Sequence, residues 1–368
     1  MNRRRALISY EMRNMKWVLL IAVLGSLFFV LNLFGRVNNG AEILLWNQDI
    51  GGYFGSCFSN ELLNLLHDYH IYIWLLFAVI VTMQFRDFHK KKTEEYMSSL
   101  PFTAKERFLT KSLIGYAVIA ASWILLSAGT LIVRQNVITQ YHKQALLFPF
   151  YKEMLANETI WHTLRTLGLF GLEMLAVYAL FLLIHLIVNK GVAASVITLG
   201  IMMAPLELLY VASGFELLVY GGSSLLENRI LRPLAGIFLG DSLAYFNDQQ
   251  NLWEYNGMYQ NYYHISYPET GLAVLLLLVI ILICSAITWK LSKGHDMTKN
   301  NVLVSYKGAR IFLSAGIGLC FGGAAAVFFP LLMFAIRDSS IVTFIANWLF
   351  ATAFFGFLSW KLLHLSIR

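Results

Sequence analysis

Eight times along this chain an apolar run of about 20 residues interrupts the polar sequence, and no other feature narrows the possible folds so far. The runs cover Trp17–Phe34, Tyr69–Phe85, Ser112–Val133, Thr166–Val188, Val192–Val211, Gly271–Trp289, Ile311–Ile336 and Ile341–Leu362. Each is long enough to cross a bilayer as a helix. In lipid every backbone N–H and C=O must be satisfied within the protein, so only helices and closed barrels span. A barrel would show alternating segments of roughly ten residues, and none occur. Only six prolines interrupt the chain, 58% of it is apolar and 13% is charged, against about 25% charged in soluble domains. The predicted fold is therefore all-α: a polytopic integral membrane protein of eight transmembrane helices.

Orientation follows from the basic residues. With the N-terminus inside, 20 of the 28 Lys and Arg residues fall in cytoplasmic pieces. The positive-inside rule thus predicts both ends in the cytoplasm. The net charge of +7 reflects this asymmetry and gives no reason to expect nucleic acid as a partner. Residues 1–16 include the basic stretch Arg3–Lys16, read as an amphipathic cytoplasmic helix lying on the anionic inner leaflet in preference to a disordered basic tail. The run from Trp17 lacks a small-residue cleavage site and is read as a retained first helix. Such a chain belongs in a cell membrane, a bacterial plasma membrane by this reading, with the lipid bilayer as its first partner.

Within the spans the ionisable residues stand out. Placing Glu173 in the fourth span costs about 2.5–3.5 kcal/mol on insertion scales, so it must face protein or a water-filled cavity. His185 lies near the inner end of that span, and Glu207 follows Pro205 near the outer end of the fifth. All three are candidates for the lining of a transport path, or for static contacts between helices. Gly318 and Gly322 form a G-x-x-x-G, and Gly200 and Ala204 a small-residue pair; both permit close helix approach. The outer segment of residues 212–270 is rich in Tyr, Trp and Asn and suits a folded cap or hairpin. Asn157-Glu158-Thr159 matches a glycosylation triplet of little specificity. Three scattered cysteines, Cys57, Cys284 and Cys320, imply neither a disulfide framework nor a metal site. His67 and His70 have helical spacing but no supporting ligand set.

The cytoplasmic stretch Arg86–Lys111 carries the most information. Thr93–Leu100 can form a short helix, which Pro101 terminates because the residue before proline leaves the α region. Thr103-Ala104-Lys105-Glu106 then fits a capping box that opens the third span. A short exposed helix is marginal alone, so a partner protein or the membrane surface must hold it.

In its order of elements the chain resembles the permease subunits of ABC transporters in the type-two exporter superfamily, which handles drugs, bacteriocins and polysaccharides. The matching residues are Glu94-Glu95-Tyr96-Met97-Ser98-Ser99-Leu100-Pro101 followed by Thr103-Ala104-Lys105-Glu106-Arg107. The resemblance covers roughly residues 1–290. It implies a six-span transporter domain over 17–290, a coupling helix at about 88–102 and an outer cap at about 212–270. Glu94, Glu95, Tyr96, Met97, Leu100 and Pro101 would then dock on an ATP-binding subunit. A cytoplasmic loop at 291–310 and two added spans in 311–368 depart from the six-helix pattern.

No G-x-x-x-x-G-K-[ST] phosphate loop occurs in the chain, so any ATP hydrolysis must occur on a separate polypeptide; the resemblance implies two copies of an ATP-binding subunit that hold ATP and Mg. No catalytic constellation emerges either, and Glu94-Glu95 lacks the Arg three residues on that an intramembrane protease pattern requires. The expectation is a non-enzymatic permease that pairs with an identical or homologous permease. Its substrate would be hydrophobic or amphipathic, such as an antimicrobial peptide or drug. The competing reading is a non-transporting immunity or sensor subunit that binds a peptide at its outer face.

Overall fold

The computed structural model describes residues 3–46, 58–89, 102–144, 146, 155, 158–220, 245–255, 258–266, 270–292, 303–304, 306–332 and 341–364. The helices are α1 (Arg3–Asn14), α2 (Lys16–Trp46), α3 (Phe58–Gln84), α4 (Ala104–Gln144), α5 (Ile160–Ile187), α6 (Gly191–Tyr220), α7 (Thr270–Ser292), α8 (Lys307–Leu332) and α9 (Ile341–His364). Five stretches among the described residues are long and apolar enough to cross a membrane: Lys16–Asn38, Glu61–Gln84, Lys105–Lys143, Ile160–Ile187 and Thr270–Ser292. The chain is thus helical and membrane-spanning in character. Its departure from an all-α fold is an antiparallel hairpin, β1 (Tyr245–Tyr255) and β2 (Met258–Ser266), within the 212–270 segment. Tyr255 pairs with Met258 at one end of the ladder and Tyr245 with Ser266 at the other.

Helix α5 is the axis. Four-fifths of its apolar window, 83%, is buried, whereas only 17% of the window of α7 is. Around α5 lie α3, α4, α6 and α7; α2 packs on α4, and α8 packs on α6 and α9. Outer helices turn large apolar side chains to the surroundings, among them Leu24, Phe28 and Leu31 on α2 and Leu282 and Ile283 on α7. An apolar surface of that extent suits acyl chains rather than water.

Several helices outrun the apolar runs that mark them. At 1.5 Å per residue the 41 residues of α4 measure about 60 Å, twice the ~30 Å hydrocarbon core. Val133, Val137 and Tyr141 keep one face of its polar extension buried. Helix α3 likewise starts at Phe58, eleven residues before the apolar run, with Leu62, Leu65 and Leu66 fully inside. Its first turn is capped from a distance: Ser59 N and Oγ donate to the buried Glu158 carboxylate at 2.9 and 2.8 Å. Arg134 donates to the Glu158 carbonyl at 2.6 Å, fixing the far end of α4 to the same point. Glu158, the middle residue of the glycosylation triplet, therefore serves as a structural clasp.

At the opposite end the α5–α6 turn pairs with the 303–304 segment. Val188 and Val304 form an isolated antiparallel bridge, and Asn189 N donates to the Leu303 carbonyl at 2.9 Å. The glycine motif of α8 finds its partner in α9. A Cβ on Gly318 would lie 2.8 Å from the Thr352 carbonyl oxygen and 2.9 Å from Gly356 Cα. One on Gly322 would collide with Thr352 as well, so both glycines are required for the closeness of this helix pair.

Candidate functional site

Among the described residues, two buried acid–base centres and an apolar cleft lie inside the helical body. The first centre gathers where α1, the end of α3 and the start of α4 meet. The capping box at Thr103 is formed in full: Glu106 N donates to Thr103 Oγ1 at 3.1 Å, and Thr103 N donates to Glu106 Oε2 at 3.0 Å. Two turns on, Lys111 is buried to 2% exposure, its Nζ 3.4 Å from Glu11 Oε2 and 3.8 Å from Asp87 Oδ2. The ammonium also lies 5.3 Å from the Phe88 ring centroid, and Phe85, Phe88 and Phe108 pack beside it.

Glu11 is fully buried, at 0% exposure, and is the sole acid of α1. Burial pushes its carboxyl above the ordinary value of 4.5, and the Lys111 charge and hydrogen bond offset part of that rise. The rest of α1 explains why it rests here. Leu7, Glu11 and Met15 recur every four residues on the buried side, while Arg5, Ile8, Tyr10, Met12 and Arg13 are exposed. With its one acid hidden, the outer surface of α1 is cationic and apolar, the chemistry of a helix lying on anionic headgroups.

A second centre lies halfway along α3 and α5. His70 Nε2 and Glu173 Oε1 are 2.7 Å apart at 2% and 1% exposure. The other ring nitrogen of His70 is 3.0 Å from the Leu66 carbonyl, and Trp74 and Phe170 meet the ring edge to face. Glu173 Oε2 has no hydrogen-bond partner among the described residues. His70 therefore sits in the middle of the bundle, not at the interface where its place in the apolar run puts it, because α3 begins so far upstream.

The apolar cleft lies between α2, α3 and α4 over a floor of Phe170 and Met174 from α5. Phe29 and Phe77 form its aromatic walls, and Phe170 separates it from the His70–Glu173 pair. Its two hydroxyls are engaged with backbone: Ser26 Oγ donates to the Ala22 and Ser122 carbonyls, and Ser122 Oγ to the Val118 carbonyl. Such a cleft accepts an apolar chain or ring and offers nothing to a polar group.

The candidate residues read from the sequence fare unevenly. Glu173 is buried against His70 and does not line the cleft. His185 is buried beside Phe85 and His89, with its Nδ1 3.0 Å from the Phe181 carbonyl and its Nε2 3.5 Å from Ser195 Oγ. Thr82 Oγ1 joins Ser195 Oγ at 2.6 Å, so this cluster ties α3, α5 and α6 together. Glu207 lies on α6. Glu94, Glu95, Tyr96, Met97, Leu100 and Pro101 fall outside the described residues, as does Cys57. Among the described residues no group of three or more His, Cys, Asp or Glu side chains is placed to hold a metal ion.

Known proteins do not identify the chain. No family model matches it, and neither a curated protein nor a solved structure matches it in comparison. Its function must be argued from its own residues. No motif or spacing in the sequence singles out Glu11, Gln84, Lys111 or Tyr178. Lys111 carried a faint signal, being a lysine at the very start of an apolar run whose counter-ion had to come from elsewhere.

Proposed function

We propose that the chain is the membrane permease subunit of an ATP-driven exporter of the ABC type, working as a pair of permeases on two copies of a separate ATP-binding subunit. The full set of eight spans, with both ends in the cytoplasm, belongs to this reading. So does the coupling role of residues 88–102. The observation that carries it is the construction on either side of residues 90–101. Before them, the α3 end is held by Phe85, Asp87 and Phe88; after them, the capping box starts α4 and leads directly to Lys111. Ends anchored in this way would pass a displacement at Asp87 or Thr103 on to α1, α3 and α4.

The apolar cleft supports a hydrophobic or amphipathic substrate, because its hydroxyls are already engaged and its walls are aliphatic and aromatic. ATP binding would close the ATPase pair, shift the coupling segment and tilt the helices that wall the cleft. Replacing Glu94 and Glu95 with Arg, or Met97 with Asp, in the full chain tests this. The expected outcome is loss of ATPase association or of stimulated hydrolysis, with thermal unfolding of the permease unchanged. Wild-type association and stimulation in both variants would refute the coupling assignment.

A further inference from the structure

Lys111 does more than neutralise one acid. Its ammonium is shared by Glu11 of α1 and Asp87 beyond the end of α3, while its backbone carbonyl accepts from Gln84 Nε2 at 2.7 Å. The same Gln84 amide lies 2.8 Å from the Tyr178 hydroxyl on α5, and that hydroxyl also reaches the Ser112 carbonyl at 3.3 Å. Lys111 and Ser112 are thus met from both sides: by an acid of the surface helix, and by a phenol at the centre of the bundle. Gln84, Lys111, Tyr178 and Glu11 are all buried.

One glycine makes this junction possible. Gly115 lies one turn beyond Lys111, and a Cβ there would collide with the Tyr178 hydroxyl and come within 2.5 Å of Gln84 Nε2. Without a side chain, α4 leaves its carbonyls open to the amide and the phenol. From Tyr178 the chain of contacts continues to Tyr116, whose ring meets it edge to face at 4.7 Å, and from Tyr116 to Ser285 on α7.

We propose that Lys111 is a positioning residue that couples the surface helix α1 to the central helix α5, so that displacement of α1 or of the α3 end at Asp87 reaches the bundle through it. The physical reason is that a buried cation with two acids cannot lose one contact without strong cost, so movement of α1 or of the α3 end must draw α4 along. The transport consequence rests on the proposed function, whereas the coupling itself does not.

A double-mutant cycle on the full-length chain in lipid nanodiscs decides it. Glu11→Gln and Tyr178→Phe, made singly and together, should shift the melting temperature non-additively, and the non-additivity should vanish in a Lys111→Met background. Should Lys111→Met fail to fold, Gln84→Leu cuts the other arm of the link and should abolish the coupling equally. Additive shifts in the native background, or coupling that survives both replacements, would overturn the proposal. In the complex with the ATP-binding subunit, Lys111→Met should keep association yet lower stimulated hydrolysis several-fold, and Lys111→Arg should restore part of it. If no ATP-binding subunit associates with the native chain, the transport reading fails, while the thermal cycle still decides the coupling.

Discussion

Two acid–base pairs are buried among the described residues, and they are built for different ends. His70–Glu173 is short, at 2.7 Å, and enclosed by Trp74 and Phe170 at the middle of two helices. Glu11–Lys111 is longer, at 3.4 Å, shares its cation with Asp87 and lies where three elements end. Neither Glu11 oxygen makes a hydrogen bond of good geometry among the described residues. One pair fastens α3 to α5 at a depth where a lone charge is least tolerated. The other is a junction with several members, any of which can move and be felt by the rest. The difference teaches that burial alone does not mark a functional ion pair; the number of elements meeting at the pair says more.

The largest effect should come from breaking the tight pair. His70→Ala leaves Glu173 buried without its partner and should cost about 3–5 kcal/mol of unfolding free energy. Replacing both His70 and Glu173 with Leu should recover most of that loss. A small loss for His70→Ala, read by denaturant unfolding in detergent, would show that the pair is not the fastener described here.

A middle-sized effect should follow at the junction. Gly115→Ala forces the Tyr178 hydroxyl and the Gln84 amide away from α4 and should destabilise by about 1–3 kcal/mol. Gly200→Ala is the control, since nothing lies within 4 Å of its Cβ position. It should be neutral or stabilising by up to about 1 kcal/mol through helix propensity. Equal losses at both positions would remove the special status given to Gly115.

The smallest effect concerns pH. Because burial raises the Glu11 carboxyl above its ordinary 4.5, the docked α1 holds the proton more tightly than the free helix does. Its contribution to docking is therefore full below pH 4.5 and fades as pH rises through the higher native value. Protection of α1 from proteolysis should fall across that window in the native chain, and Glu11→Gln should flatten the dependence. Protection that instead rises with pH would reverse the assigned cause.

What could be read from the sequence was local. The capping box at Thr103 and Glu106 and the close approach at Gly318 and Gly322 depend on residues a few positions apart, and both geometries are present. The partner of that glycine face, Thr352 and Gly356, lies on another helix and left no local trace. Glu11–Lys111 and His70–Glu173 join residues about a hundred positions apart, so no spacing rule finds them. The polar extension of α4 is a different case. Val133, Val137 and Tyr141 recur at helical spacing, but the hydropathy of the run ends at Val133, and a reading based on membrane length stopped there.

Under the proposed function, a separate ATP-binding subunit drives the chain through residues 88–102. Isolation of the tagged full-length chain from its native membrane in mild detergent, with ATP hydrolysis measured on the eluate, tests it most directly. The expected result is a stoichiometric ATP-binding polypeptide and hydrolysis that disappears when Glu94 and Glu95 are both Arg. Isolation of the intact, folded chain with neither an ATP-binding partner nor hydrolysis would contradict it.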